Sequence, residues 1–123
     1  MDTLPTPSLA QFLNMQELLD RVNQDREFLR ELFGIFAREF PRLCLRLQEA
    51  AAEENMQQTA KSAHLLKGML ANLSLERAAA AAGTLEEMAV AEDRPGVEHA
   101  LAGLNDELVG LLPALDAYLA EPQ

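Results

Sequence analysis

One histidine in this chain stands among groups that could do chemistry with it. His64 falls within the run Ala60 to Ser74, AKSAHLLKGMLANLS, which is helical in pattern. At 100° per residue Thr59, Ala63, Leu66, Leu70 and Leu73 share one side. His64 lies on the opposite side, with Gln57, Ala60, Lys61, Lys67, Gly68 and Ala71 around it. Lys61 and Lys67 are the only lysines, three residues before and three after the histidine. Gly68 sits in mid-helix, where it costs about 1 kcal/mol relative to alanine, so something there wants the side chain absent. An exposed imidazole, a nearby ammonium and a bare backbone make a place where an anionic group can be carried to a nitrogen. This face reads as a phosphoryl-acceptor site.

The residues fit duller and rival chemistry less well. A lone histidine on a helix is ordinarily a solvated surface residue. His99 is such a case, opposite Val97, Leu101 and Leu104 with neither a lysine nor a glycine nearby. A carboxylate-bridged metal site in a bundle needs Glu-x-x-His pairs, but lysine stands three before His64 and glycine three before His99. Zinc needs more cysteine and histidine than one Cys and two His. Cys44 could be cast as a nucleophile with His64 as its base, yet it sits between inward-facing Leu43 and Leu47, and buried thiols are inert. No phosphate loop of the G-x-x-x-x-G-K type is present, so neither nucleotide binding nor labelling by ATP alone is expected. The pairs Glu53-Glu54 and Glu86-Glu87 read as solvated helix faces.

The elements that must position His64 follow from periodicity and caps. The 123 residues suit one domain, 1–123. Leu- and Ala-rich composition without Trp favours helices. Residues 1–11, Pro-interrupted, are expected to be a loose tail. Asn14 and Glu17 form a capping-box pattern for a short helix through Val22, with Leu18, Leu19 and Val22 inward. Asp25 caps a long helix carrying Leu29, Leu32, Phe36, Phe40, Leu43 and Leu47 inward, which Pro41 should bend. Asn55 caps the histidine helix at 56–72, and Ser74 is expected to cap the next, 75–91, with Leu75, Ala78, Ala82 and Leu85 inward. Pro95 suits a first turn. A last helix, 96–119, should bend at Pro113. The expected architecture is an all-α, antiparallel up-down four-helix bundle with a short N-terminal helix packed on it.

Charge and composition narrow the partners. A net charge of −10 argues against nucleic acid and anionic membranes. No stretch approaches the ~18 apolar residues of a membrane span. The start, Met1-Asp2 followed by prolines, has no signal-peptide pattern. A single cysteine fits a reducing compartment. A cytoplasmic protein is expected.

The run Ala63-His64-Leu65-Leu66-Lys67-Gly68, then Ala71-Asn72-Leu73, resembles the signature of histidine phosphotransfer (HPt) domains, A-H-x-L-K-G followed by small residues and N-L-G. The resemblance extends outward. Phe12 to Val22 looks like the family's opening helix, Asp25 to Leu47 with F-x-x-x-x-P-R-L like its second, and Leu85-Glu86 matches its L-E on the fourth. It covers about residues 12–118. The chain departs from the pattern at Ser74, where glycine is usual, at Leu65, where a small or hydroxyl residue is common, and at Met69 and Leu70, larger than usual but turned inward by angle. These departures bear on partner choice.

The resemblance implies that His64 accepts a phosphoryl group from an aspartyl phosphate on a response-regulator receiver domain and passes it to another. Lys67 would hold the phosphoryl oxygens, and Gly68 would let the partner come close. Lys61 would help by steering, with Gln57, Ala60 and Ala71 around the docking face. An imidazole is largely neutral near pH 7, leaving one nitrogen lone pair free. No cofactor is expected on this chain, and Mg²⁺ is expected on the receiver's carboxylates. The partners implied are receiver domains and a hybrid sensor histidine kinase, with this chain a monomer. Two alternatives stay open: the phosphoacceptor domain of a chemotaxis-type kinase, and a helical adaptor that never carries phosphate.

Overall fold

The computed structural model describes residues 8–121. They form a 3-10 turn, Leu9–Gln11, and six α-helices: α1 Met15–Arg21, α2 Arg26–Ala52, α3 Met56–Asn72, α4 Glu76–Val90, α5 Arg94–Leu108 and α6 Leu111–Ala120. The fold is all-helical, with no strand among the described residues.

Single side chains open four of the helices. Asn14, Asp25, Asn55 and Asp93 have extended backbone, and their side-chain oxygens accept from the amides of Glu17, Phe28, Gln58 and Gly96. Each satisfies a donor that the first turn leaves without a partner. Helices α1 to α4 also close alike. Asn23, Glu54, Ser74 and Glu92 take left-handed φ values of 57°, 56°, 60° and 56°. The amide of the following residue then bonds back to the carbonyl of Leu19, Ala50, Leu70 or Met88. This closure usually places glycine at the left-handed position, but no described glycine has a positive φ. After α2 and α4 the residue that completes the closure, Asn55 or Asp93, is also the next cap, which keeps those connections short.

The strained closures make a stability prediction. A left-handed φ costs a non-glycine residue about 1–2 kcal/mol, against about 0.5–1 kcal/mol for glycine's extra chain entropy. Glu54 is bound to Arg94 and Ser74 to Arg21, whereas Glu92 has no side-chain partner among the described residues. Glu92→Gly is therefore expected to raise the melting temperature by about 2–5 °C, read by thermal unfolding.

The core is one cluster. Leu29, Phe33, Phe36, Phe40 and Leu47 of α2 join Leu66 and Leu70 of α3, Ala82 and Leu85 of α4, Leu104 of α5 and Leu111 and Leu115 of α6. Burying each Leu or Phe contributes about 1.5–3 kcal/mol relative to exposure. Helix α2 packs on α3, α3 on α4 and α4 on α5, while α6 lies on α2 and on the 3-10 turn. Arg30 of α2 donates to the carbonyls of Tyr118, Leu119 and Glu121, tying down the end of α6. The Tyr118 ring meets Phe33 edge-on at 5.3 Å.

Several expectations are corrected. Ser8 to Gln11 are not loose: the Ser8 hydroxyl accepts from the Ala10 amide, and Leu9 is buried in the core with Leu13. The rest of the expected tail, 1–7, lies outside the described residues. Ser74 is not the cap of α4. Leu75 holds that position without a side-chain bond, and Ser74 sits one residue earlier in the left-handed slot. Buried there, its hydroxyl accepts from the Arg21 guanidinium at 2.7 Å. In line with the periodicity that continues across Pro41, helix α2 runs through it as 27 residues. Pro41 is exposed, so the carbonyl it deprives of a donor can turn to water.

The expected last helix does break, at Val109–Gly110 and not at Pro113 itself. The proline ring crowds the carbonyl four residues back, which belongs to Val109, and proline has no amide to bond it. Pro113 then falls in the first turn of α6, where a missing amide costs nothing.

Candidate functional site

The site is built where α3 and α4 lie side by side. Thr59, Ala63, Leu66 and Leu70 of α3 are fully buried, as their shared stripe requires, and Leu73 is nearly so. Against them α4 presents Ala78, Ala82, Leu85 and Ala89, also buried. Small residues on α4 let the two helices approach closely. Glu86, next to the buried Leu85, is thereby carried to the rim of the α3 face that holds His64.

One carboxylate bridges two α3 side chains. Oε2 of Glu86 lies 2.9 Å from His64 Nδ1, and Oε1 lies 2.9 Å from Lys67 Nζ. His64 and Lys67 are three residues apart, hence neighbours on one helix face, and both reach the same acceptor. The His64 side chain is 65% exposed, that of Lys67 39% and that of Glu86 23%. The Glu86 carboxyl is held below its ordinary 4.5, first by the hydrogen bond from Lys67, against some desolvation and with help from His64. The sign follows from linkage. The stability these contacts provide is complete above about 4.5 and is lost as pH falls through the lowered folded value.

An ionised carboxylate only accepts, so the proton between Glu86 and His64 is assigned to Nδ1. The lone pair of the neutral ring is then on Nε2, the nitrogen not engaged by Glu86. The remaining residues singled out from sequence surround this pair. Gly68 is exposed, and a methyl added there would meet nothing within 4 Å. Gln57, Lys61 and Ala71 are exposed and Ala60 is half-buried. A shallow concavity is lined by Ala60, Lys61, His64, Leu65 and Glu86. Leu65 is 57% exposed, an apolar side chain beside the imidazole, whereas Leu70 is buried and Met69 half-buried.

The family model of the Hpt domain matches residues 31–120 of the chain. The chain belongs to the Hpt domain family. No curated protein and no solved structure matches it. Membership carries a histidine phosphotransfer role in phosphorelays, in which Hpt domains interact with receiver domains and kinases.

Within this Hpt domain His99 is exposed and has no side-chain partner among the described residues. The Cys44 thiol is pushed up to about 11 by burial, so it stays protonated at neutral pH. No helix among the described residues is long and apolar enough to cross a membrane. Glu86 is the site residue that periodicity missed. Beside Glu87 it reads as one more solvated acid, and the only sequence signal for it is the Leu85-Glu86 match to the family pattern.

Proposed function

We propose that this Hpt domain accepts a phosphoryl group on His64 from the aspartyl phosphate of a receiver domain and passes it to a second response regulator. The reading rests on the bridge from Glu86 to His64 and Lys67, which orients an exposed imidazole with its Nε2 free. In the forward step the Nε2 lone pair attacks phosphorus in line, the bond from phosphorus to the aspartyl oxygen breaks, and the carboxylate leaves. The proton stays on Nδ1. The ring becomes cationic, and Glu86 stabilises it through the bond it already makes, as an acidic partner does for any imidazolium formed in catalysis. Such transfer asks mainly for positioning and charge stabilisation. Lys67 supplies the latter by turning its ammonium from Glu86 toward the phosphoryl oxygens. Reversal onto a second receiver uses the same groups.

Around this centre Gly68 and Ala71 leave the backbone approachable, and Lys61, Gln57 and Ala60 belong to the docking face. In this reading the Mg²⁺ of the transfer is held by the receiver's carboxylates. In the same reading helices α2 to α5, with α6 continuing α5, form an antiparallel up-down four-helix bundle on which α1 packs. The packing of α2 on α3, α3 on α4, α4 on α5 and α6 on α2 supports it. One domain, a monomeric state and a cytoplasmic location complete the proposal.

The deciding experiment incubates the protein with a panel of phosphorylated receiver domains and maps acid-labile phosphate. Label on His64 from at least one receiver is the expected result, and no label from any receiver favours an adaptor. Label from ATP alone would contradict the reading.

Lys67 has its own test. A charge-assisted bond to an anion is worth about 1.5–3 kcal/mol, so Lys67→Ala is expected to slow single-turnover transfer by about 10- to 100-fold. The helical CD spectrum should hardly change. An unchanged rate would return Lys67 to the role of a solvated side chain.

A further inference from the structure

Gly83 on α4 is a glycine in mid-helix that nothing about the backbone requires, since no described glycine has a positive φ. It follows five consecutive alanines, Ala78 to Ala82, so the chain goes one step smaller at this position despite the loss of helix propensity. A methyl built on Gly83 would lie 3.2 Å from Cδ of Lys67, and no other atom outside its own helix turn lies within 4 Å. The position is not a notch for a neighbouring backbone or a core side chain. The one thing occupying the missing methyl's place is the lysine stem. Glu86, which holds the ammonium of that lysine at 2.9 Å, is three residues further along the same face of α4. Lys67 thus lies along α4, its stem over Gly83 and its charge at Glu86.

We propose that Gly83 is a positioning residue: its bare Cα gives the Lys67 stem the lane it needs to bring the ammonium to the acceptor site beside His64. The proposal rests on the phosphotransfer reading above for its effect on rate, but not for its effect on Lys67. A side chain at position 83 lifts the stem off α4. Alanine asks for a displacement of a few tenths of an ångström. Leucine occupies the lane. Transfer chemistry responds steeply to displacements of about an ångström.

The test uses the whole protein with Gly, Ala or Leu at position 83, each with Lys67 intact or replaced by Ala. Three quantities are measured: single-turnover transfer from a phosphorylated receiver that labels the parent protein, the titration midpoint of the Glu86 carboxyl carbon by NMR, and thermal unfolding. Gly83→Ala is expected to slow transfer about threefold and Gly83→Leu about 10- to 100-fold, converging on the rate of Lys67→Ala. In the Lys67→Ala background the three proteins should agree within about twofold, because the interaction being perturbed is already gone. The Glu86 midpoint should rise in Gly83→Leu, as in Lys67→Ala, since the bond from Lys67 is the largest cause of its lowering. Gly83→Ala should melt no lower than the parent.

Equal slowing with and without Lys67, or an unmoved Glu86 midpoint in Gly83→Leu, would overturn the proposal. If no receiver labels the parent protein, the phosphotransfer reading fails separately, and the Glu86 midpoint alone decides Gly83. Should the leucine variant not fold, Gly83→Ala carries the same comparisons at smaller amplitude.

Discussion

His64→Gln is expected to abolish acid-labile phosphate completely, from every receiver that labels the parent protein, while leaving the helical CD spectrum in place. The two halves of this result have separate causes. Glutamine has no basic ring nitrogen, so no lone pair attacks phosphorus. The fold is spared because the His64 side chain is 65% exposed and its one partner, Glu86, keeps Lys67. Exposed substitutions of this kind change stability by about 0.5 kcal/mol or less. His99→Gln is the control and should retain full label. Phosphate persisting on His64→Gln, or lost equally from His99→Gln, would remove His64 from the role of acceptor.

The second large effect is expected at Gly68, where stability and function should move in opposite directions. A methyl at this position meets no atom within 4 Å. Gly68→Ala should therefore behave as an ordinary exposed helix substitution and stabilise by about 0.5–1 kcal/mol. Transfer should slow with Ala and be blocked with Gln, because a long side chain one turn from His64 holds a docking partner away from the imidazole. Rates fall by about 100-fold for an ångström of misplacement. Thermal unfolding beside single-turnover transfer for Gly, Ala and Gln measures both. A lower melting temperature for Ala would make Gly68 a packing residue, and transfer by Gln at the parent rate would show that nothing docks there.

These two predictions rest on residues legible in the sequence, because the information they need is local. A stripe of apolar residues at helical spacing says which side of α3 is buried, and Thr59, Ala63, Leu66 and Leu70 are all fully buried. The opposite side, with His64, Gly68 and the two lysines, follows by rotation alone. Caps are equally local: Asn14, Asp25 and Asn55 each bond an amide three residues on, so their helix starts could be read directly.

Elsewhere the outcome depended on what lay across the fold. Ser74 has the chemistry of a helix cap, but the preceding helix needed a left-handed residue there and Arg21 supplied a partner for the hydroxyl. Leu9 looked like part of a tail until the core accepted it. The two internal prolines also differ in outcome: α2 runs on through Pro41, whereas α5 ends at Leu108 and Pro113 falls in the first turn of α6.

The sequence by itself determined the all-helical class, the helix starts capped by Asn14, Asp25 and Asn55, and the exposed face of α3 on which His64, Lys67 and Gly68 sit. Each depends on spacing within about one or two turns of helix. Only the tertiary structure decided that Glu86 belongs with them and that Gly83 lies under Lys67. Those residues are on another helix, and their distance from His64 is set by how closely the alanines of α4 let it pack against α3.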